Sequence, residues 1–118
     1  MEYLKITVTI LVALIHIYIF YIEVYLWTTK KGMNAFDIKT KEFAIETKVM
    51  AANQGLYNLF LASGLIWSLF YNKEPTVLFF LVCVFIAGVY GAYSTKKIKI
   101  FYIQSIPAII AIILTLLT

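Results

Sequence analysis

Residues 76–93 read TVLFFLVCVFIAGVYGAY, a run without one charged side chain. A helix needs roughly 20 apolar residues to cross a hydrocarbon core of about 30 Å. This run nearly meets that length, and it is bounded by Asn72-Lys73-Glu74-Pro75 before it and Ser94-Thr95-Lys96-Lys97 after it. Three further apolar blocks flank it. They run from about Leu4 to Trp27, from about Phe43 to Tyr71, and from Ile100 to Leu117. With the 76–93 run they predict an all-α fold: a four-helix transmembrane bundle with helices over about 4–27, 43–71, 76–93 and 100–117, forming one integral membrane domain over residues 1–118.

Composition points the same way. Of 118 residues, 63% are hydrophobic, 17% aromatic and only 14% charged, and the mean hydropathy is +0.90. A soluble domain of this size has a large surface for its volume and needs a polar exterior, for which these charges are too few. The first block follows Lys5 but is too long for a signal peptide, and Trp27-Thr28-Thr29-Lys30-Lys31 lacks a small-residue cleavage pattern. Cys83 is the lone cysteine and lies inside an apolar block, so no internal disulfide is expected.

Orientation follows from the lysines, since the chain has no arginine. Lys30, Lys31, Lys39 and Lys41 lie between the first two blocks and Lys96, Lys97 and Lys99 between the last two. Lys5 and Lys73 fall on the opposite side. Positively charged loops stay in the cytoplasm, so both termini are expected on the non-cytoplasmic side of a multi-pass protein. The net charge of +4 is then largely a topology signal, and no nucleic-acid partner is expected.

Between Thr28 and Lys41, Gly32 and Asn34 are expected turn formers, and Asp37 or Thr40 a cap for the second helix. Pro75 suits the first turn of the third helix. Pro107 frees the carbonyl of Ile103, which predicts a kink or a nearby donor such as Gln104 or Ser105. Small residues Ala87, Gly88, Gly91 and Ala92 favour close helix approach.

Polar side chains inside a membrane are costly and mark functional sites by default. On the first helix Lys5, Thr9, His16, Glu23 and Trp27 fall within about 40° of one another at 100° per residue. On the second, Glu46, Asn53 and Tyr57 share a stripe that Gly64 continues. Thr47, Gln54 and Asn58 widen it to a wedge. If the two helices are antiparallel neighbours, the stripes meet in a polar pocket in the cytoplasmic half. The candidate catalytic residues are His16, Glu23 and Glu46, and the candidate ligand-binding residues are Trp27, Asn53, Gln54, Tyr57 and Asn58. The chemistry that suits them is proton transfer, with Glu23 or Glu46 as general base and His16 as acid or hydrogen-bond donor. The structural alternative is that these groups serve only helix packing. Metal binding is not expected, because no His-x-x-x-His, Cys-x-x-Cys or Glu-x-x-His pairing occurs, and no pattern names a cofactor.

The run Glu46-Thr47-Lys48 followed by Ala52-Asn53-Gln54-Gly55-Leu56-Tyr57-Asn58, together with His16, Glu23 and Trp27-Thr28-Thr29, resembles the signature of a bacterial membrane family of unknown function, domain of unknown function 1304. The resemblance covers essentially the whole chain and implies four membrane helices in a bacterial cell membrane. A weaker similarity, in topology and in the Glu46/Asn53 spacing, is to the membrane-associated proteins of eicosanoid and glutathione metabolism. That likeness implies a homo-oligomer, a trimer first, but the arginines that hold glutathione there have no counterpart here. The expected partners are the lipid bilayer, a small or lipid-derived ligand, and further copies of the chain. A small proton-coupled transporter and an accessory membrane subunit are the alternative functional classes.

Overall fold

The computed structural model describes residues 1–118 and is all-helical. Helix α1 (Glu2–Tyr21) runs on into a π-helical turn, Ile22–Leu26. Then come a short helix α2 (Lys30–Ala35), the long α3 (Lys41–Phe70) and α4 (Glu74–Thr95). The chain ends in a composite helix made of α5 (Ile98–Ile100), a second π-helical turn (Phe101–Ser105) and α6 (Ile106–Leu117). The four expected helices are all present, with ends displaced by one or two residues. Three of them are long and apolar enough to cross a membrane: Glu2–Leu26, Glu74–Thr95 and Ile98–Leu117.

Local chemistry explains the ends. Thr40 starts α3, its Oγ1 accepting from the Phe43 N–H at 3.1 Å, as an N-cap hydroxyl should. Asp37 instead takes a left-handed conformation, with φ 55°. Pro75 sits in the first turn of α4, where its missing N–H costs nothing. Gly32, expected in a turn, lies within α2, and Thr29 caps that helix by accepting from the Gly32 N–H at 3.2 Å. A Cβ on Gly32 would run into the Leu26 carbonyl, so the residue is needed for close approach of backbone to backbone.

The proline of the last helix is accommodated by a π-turn. Immediately before Pro107, the Ile106 N–H bonds to the Phe101 carbonyl, and this wider register absorbs the donor that proline lacks. Ser105, expected to serve the freed carbonyl of Ile103, donates across to the Phe85 carbonyl of α4 at 2.9 Å. Gly88 allows this, since any side chain there would strike Ser105.

The chain forms two compact units, Met1–Ile15 with Leu61–Thr118, and His16–Phe60. In the larger unit the core is Val12, Ala13, Ala62, Leu65, Leu81, Val84, Ala108 and Ala111. The ring of Phe80 on α4 lies against Gly64 of α3. In the smaller unit Ile22, Ala44, Ala51, Gly32 and Gly55 are buried. Large apolar side chains such as Val49, Met50, Phe79, Ile86 and Leu116 are exposed. A water-soluble monomer rarely shows such an apolar perimeter.

Candidate functional site

The smaller unit holds a buried carboxylate. Glu23 lies in the π-turn that closes the first long helix and is only 8% exposed. A π-turn inserts one extra residue into the helical register, and such turns are frequent at functional sites. The facing stripe of α3 is made of small residues, with Ala44, Ala51 and Gly55 all buried. A Cβ on Gly55 would lie 2.8 Å from Val24 Cγ2, 3.1 Å from Glu23 Cβ and 3.3 Å from the Phe20 carbonyl oxygen. The missing side chain therefore brings the α3 backbone directly against the turn that carries the carboxylate.

Asn58 follows Gly55 by one turn on the same stripe. Its Nδ2 donates to Glu23 Oε1 at 2.7 Å and to the Gln54 carbonyl at 3.1 Å, so both amide hydrogens are engaged. The acid thus faces a neutral amide, whereas Glu2 and Glu74 in the other unit pair with Lys5. One turn of helix beyond Glu23, Trp27 Nε1 donates to Thr47 Oγ1 at 2.9 Å. The Thr47 hydroxyl in turn donates to the Phe43 carbonyl at 2.8 Å. The Trp27 ring also packs on Phe36, with centroids 5.1 Å apart. Glu23–Asn58 and Trp27–Thr47 are therefore two polar rungs between the end of the first helix and α3.

Other expected members lie elsewhere. His16 is fully buried but precedes Glu23 by seven residues, about 10 Å along the axis at 1.5 Å per residue. Glu46, Asn53, Gln54 and Tyr57 are exposed, and Asn53 Nδ2 bonds to its own helix at the Val49 carbonyl, 3.2 Å. At 100° per residue, Glu46, Asn53 and Tyr57 stand roughly half a turn round α3 from the packed stripe. The structure thus joins Glu23, Asn58 and Trp27 through α3 and leaves Glu46, Asn53 and Tyr57 on the outer face. The reason is steric: the stripe that can approach is the one whose residues Ala44, Ala51 and Gly55 are small. Thr47 was not among the candidate site residues, and its signal in the sequence was its place in the run Ala44-Thr47-Ala51-Gly55-Asn58.

Over residues 10–116 the sequence matches a family described as "Protein of unknown function (DUF1304)". The chain belongs to this family. It is also similar to "Uncharacterized protein YpaA" of Lactococcus lactis subsp. lactis (strain IL1403), with 30% identity over 116 residues, covering 96% of this chain and 97% of that protein. No solved structure matches the chain. DUF1304 membership thus rests on nearly the full length, and the 10–116 span includes Glu23, Trp27, Thr47 and Asn58.

Proposed function

We propose that this DUF1304 protein is a multi-pass protein of the bacterial cell membrane that binds a small or lipid-derived polar molecule at Glu23. The observation that carries the reading is the hydrogen bond from Asn58 to Glu23 Oε1 at 2.7 Å, on a carboxylate 8% exposed. A carboxylate in apolar surroundings is costly without donors. Asn58 supplies a neutral donor and holds one oxygen in place. The second oxygen is the acceptor offered to a ligand, and Trp27 follows Glu23 by one helical turn along the chain. In an enzyme, the same oxygen is the general base of a proton transfer.

Supporting the membrane placement, α3 carries its charges before Val49, and Val49–Phe70 has none. Those residues extend about 33 Å at 1.5 Å per residue, enough for a fourth crossing alongside the three apolar helices. Four crossings place both termini on one side, and the lysine-rich loops place that side outside. Asn53 and Tyr57, exposed on α3, favour association of copies that covers them, with a trimer as the leading state.

Native mass spectrometry of the full chain released from detergent tests the site. The wild type is expected to carry a bound small molecule or lipid that Glu23→Gln loses while remaining folded, since glutamine Oε1 still accepts from Asn58. Equal retention in both proteins would refute the role of Glu23.

The neutral Asn58 amide as the partner of Glu23 favours one second reading, a proton-coupled transporter of organic cations. Reconstituted vesicles distinguish it: uptake driven by a pH gradient and abolished in Glu23→Gln supports transport, and pH-independent behaviour supports binding or catalysis.

A further inference from the structure

The segment after the first long helix turns back on it. The Thr29 N–H bonds to the Leu26 carbonyl at 3.0 Å, and the Met33 N–H to the Thr29 carbonyl at 2.9 Å. Gly32 rests against the Leu26 carbonyl, where a Cβ would not fit, and Phe36 packs on the Trp27 ring. These contacts fix α2 and the side chains it carries. Lys31, in the first turn of α2, has its ammonium 5.6 Å from the centre of the Tyr18 ring, within the range of a cation–π contact. Tyr18 precedes Leu26 by eight residues, about 12 Å along the axis at 1.5 Å per residue. A lysine at a membrane edge ordinarily extends its ammonium toward water. Lys31 does the reverse and reaches back along the apolar helix.

The surface it reaches is built of tyrosines. Tyr18, Tyr21 and Tyr25 fall within about 60° of one another at 100° per residue, and they are 49%, 48% and 64% exposed. The Tyr21 and Tyr25 rings lie 5.6 Å apart. Each tyrosine combines an apolar ring with a hydroxyl that can donate. An ammonium has three N–H donors, and the Tyr18 face engages only one side of it. Lys30 is exposed next to Lys31. The strip thus offers two cations and three hydroxyl donors along the outside of a helix. Glu2–Leu26 spans 25 residues, about 37 Å at 1.5 Å per residue against a hydrocarbon core of roughly 30 Å. Its end turns therefore extend to headgroup depth, where tyrosine is favoured.

We propose that this strip seats one anionic phospholipid, with its phosphate held by Lys31 and Lys30 and flanked by the hydroxyls of Tyr18, Tyr21 and Tyr25. A lipid is the fitting source of the phosphate because the ammonium is turned toward the apolar span and the rings beside it are apolar. An anionic headgroup fits better than a choline, whose own cation would meet Lys30 and Lys31. The seat rests on the membrane placement proposed above and not on the ligand role given to Glu23.

Native mass spectrometry of the full chain tests the seat, with phosphatidylglycerol and phosphatidylcholine of matched chains added in equal amounts to the detergent. The wild type is expected to retain phosphatidylglycerol preferentially. Lys31→Gln should lower that retention by about fivefold to tenfold, as expected for one basic residue at an anionic headgroup that also donates a hydrogen bond. Lys31→Arg keeps the charge and donors and should preserve it. Tyr18→Leu removes the ring that positions the ammonium and should lower retention by about two- to fivefold, the weight of an exposed cation–π contact. Lys39→Gln removes one charge from the same loop and should cost less than Lys31→Gln. Equal losses from those two variants would show general attraction by a basic loop and overturn the proposal. Equal retention of the two lipids by the wild type would overturn it too, and so would displacement of the lipid by an equal concentration of soluble glycerol phosphate. Alkaline carbonate extraction separates this failure from that of the membrane placement. A chain released from membranes by carbonate refutes the placement, whereas a chain retained there without lipid preference refutes the seat alone.

Discussion

Replacing Asn58 with leucine removes the only side-chain hydrogen bond that the structure gives to Glu23, at 2.7 Å, while keeping a side chain of similar bulk. Hydrogen bonds to charged groups contribute about 1.5–3 kcal/mol, and a buried acceptor left without its partner costs a comparable amount. Polar contacts between helices in lipid are weaker on average, about 0.6 kcal/mol with a maximum near 1.7, because the unfolded chain in the membrane finds partners too. Glu23 is 8% exposed, so the short charge-assisted geometry should place Asn58→Leu at the upper end of the membrane range, about 1.5 kcal/mol. The decisive variant is the double one. Replacing both partners of a hydrogen bond by apolar groups can be nearly neutral, so Glu23→Leu with Asn58→Leu should recover most of the loss. Equilibrium unfolding in mixed micelles, run as a double-mutant cycle, measures the coupling directly. A coupling energy indistinguishable from zero, with additive single losses, would show that the contact holds neither residue in place. The reasoning for the site would then fail.

Two further outcomes follow from close helix contacts. Gly55→Ala places a methyl 2.8 Å from Val24 Cγ2 and 3.1 Å from Glu23 Cβ. It should destabilise by about 1–3 kcal/mol, as overpacking does, and Val24→Ala in the same chain should relieve part of that in the same unfolding assay. Gly88→Ala drives a methyl into Ser105 and should break its bond to the Phe85 carbonyl. Its loss in thermal stability should exceed that of Ser105→Ala, which removes the bond without a clash, and equal losses would argue against steric control at this contact.

Much of the fold was legible in the residues themselves. Apolar runs long enough for a membrane, broken by lysine-bearing loops, placed all four long helices to within one or two residues, because both signals are local. Thr40 and Pro75 marked helix starts for the same reason. The short helix Lys30–Ala35 was not legible, since its six residues carry no apolar period. Neither were the π-turns. The first was silent, and Pro107 announced a disturbance without saying that a wider register, with Ser105 turned toward α4, would absorb it.

The candidate site divides along the same line. That Glu23 sits in an apolar helix, that α3 carries amides, and that the chain belongs to its family all follow from the order of the residues. Which face of α3 meets Glu23 does not. A helical wheel shows a polar stripe through Glu46, Asn53 and Tyr57 and a small-residue stripe through Ala44, Ala51 and Gly55, roughly opposite it. Burial of polarity favours the first as the contact face, and close packing favours the second. Only the tertiary structure decides between them. Backbone approach is limited by the bulk of side chains, and Gly55 is where α3 comes close enough for Asn58 to reach the carboxylate.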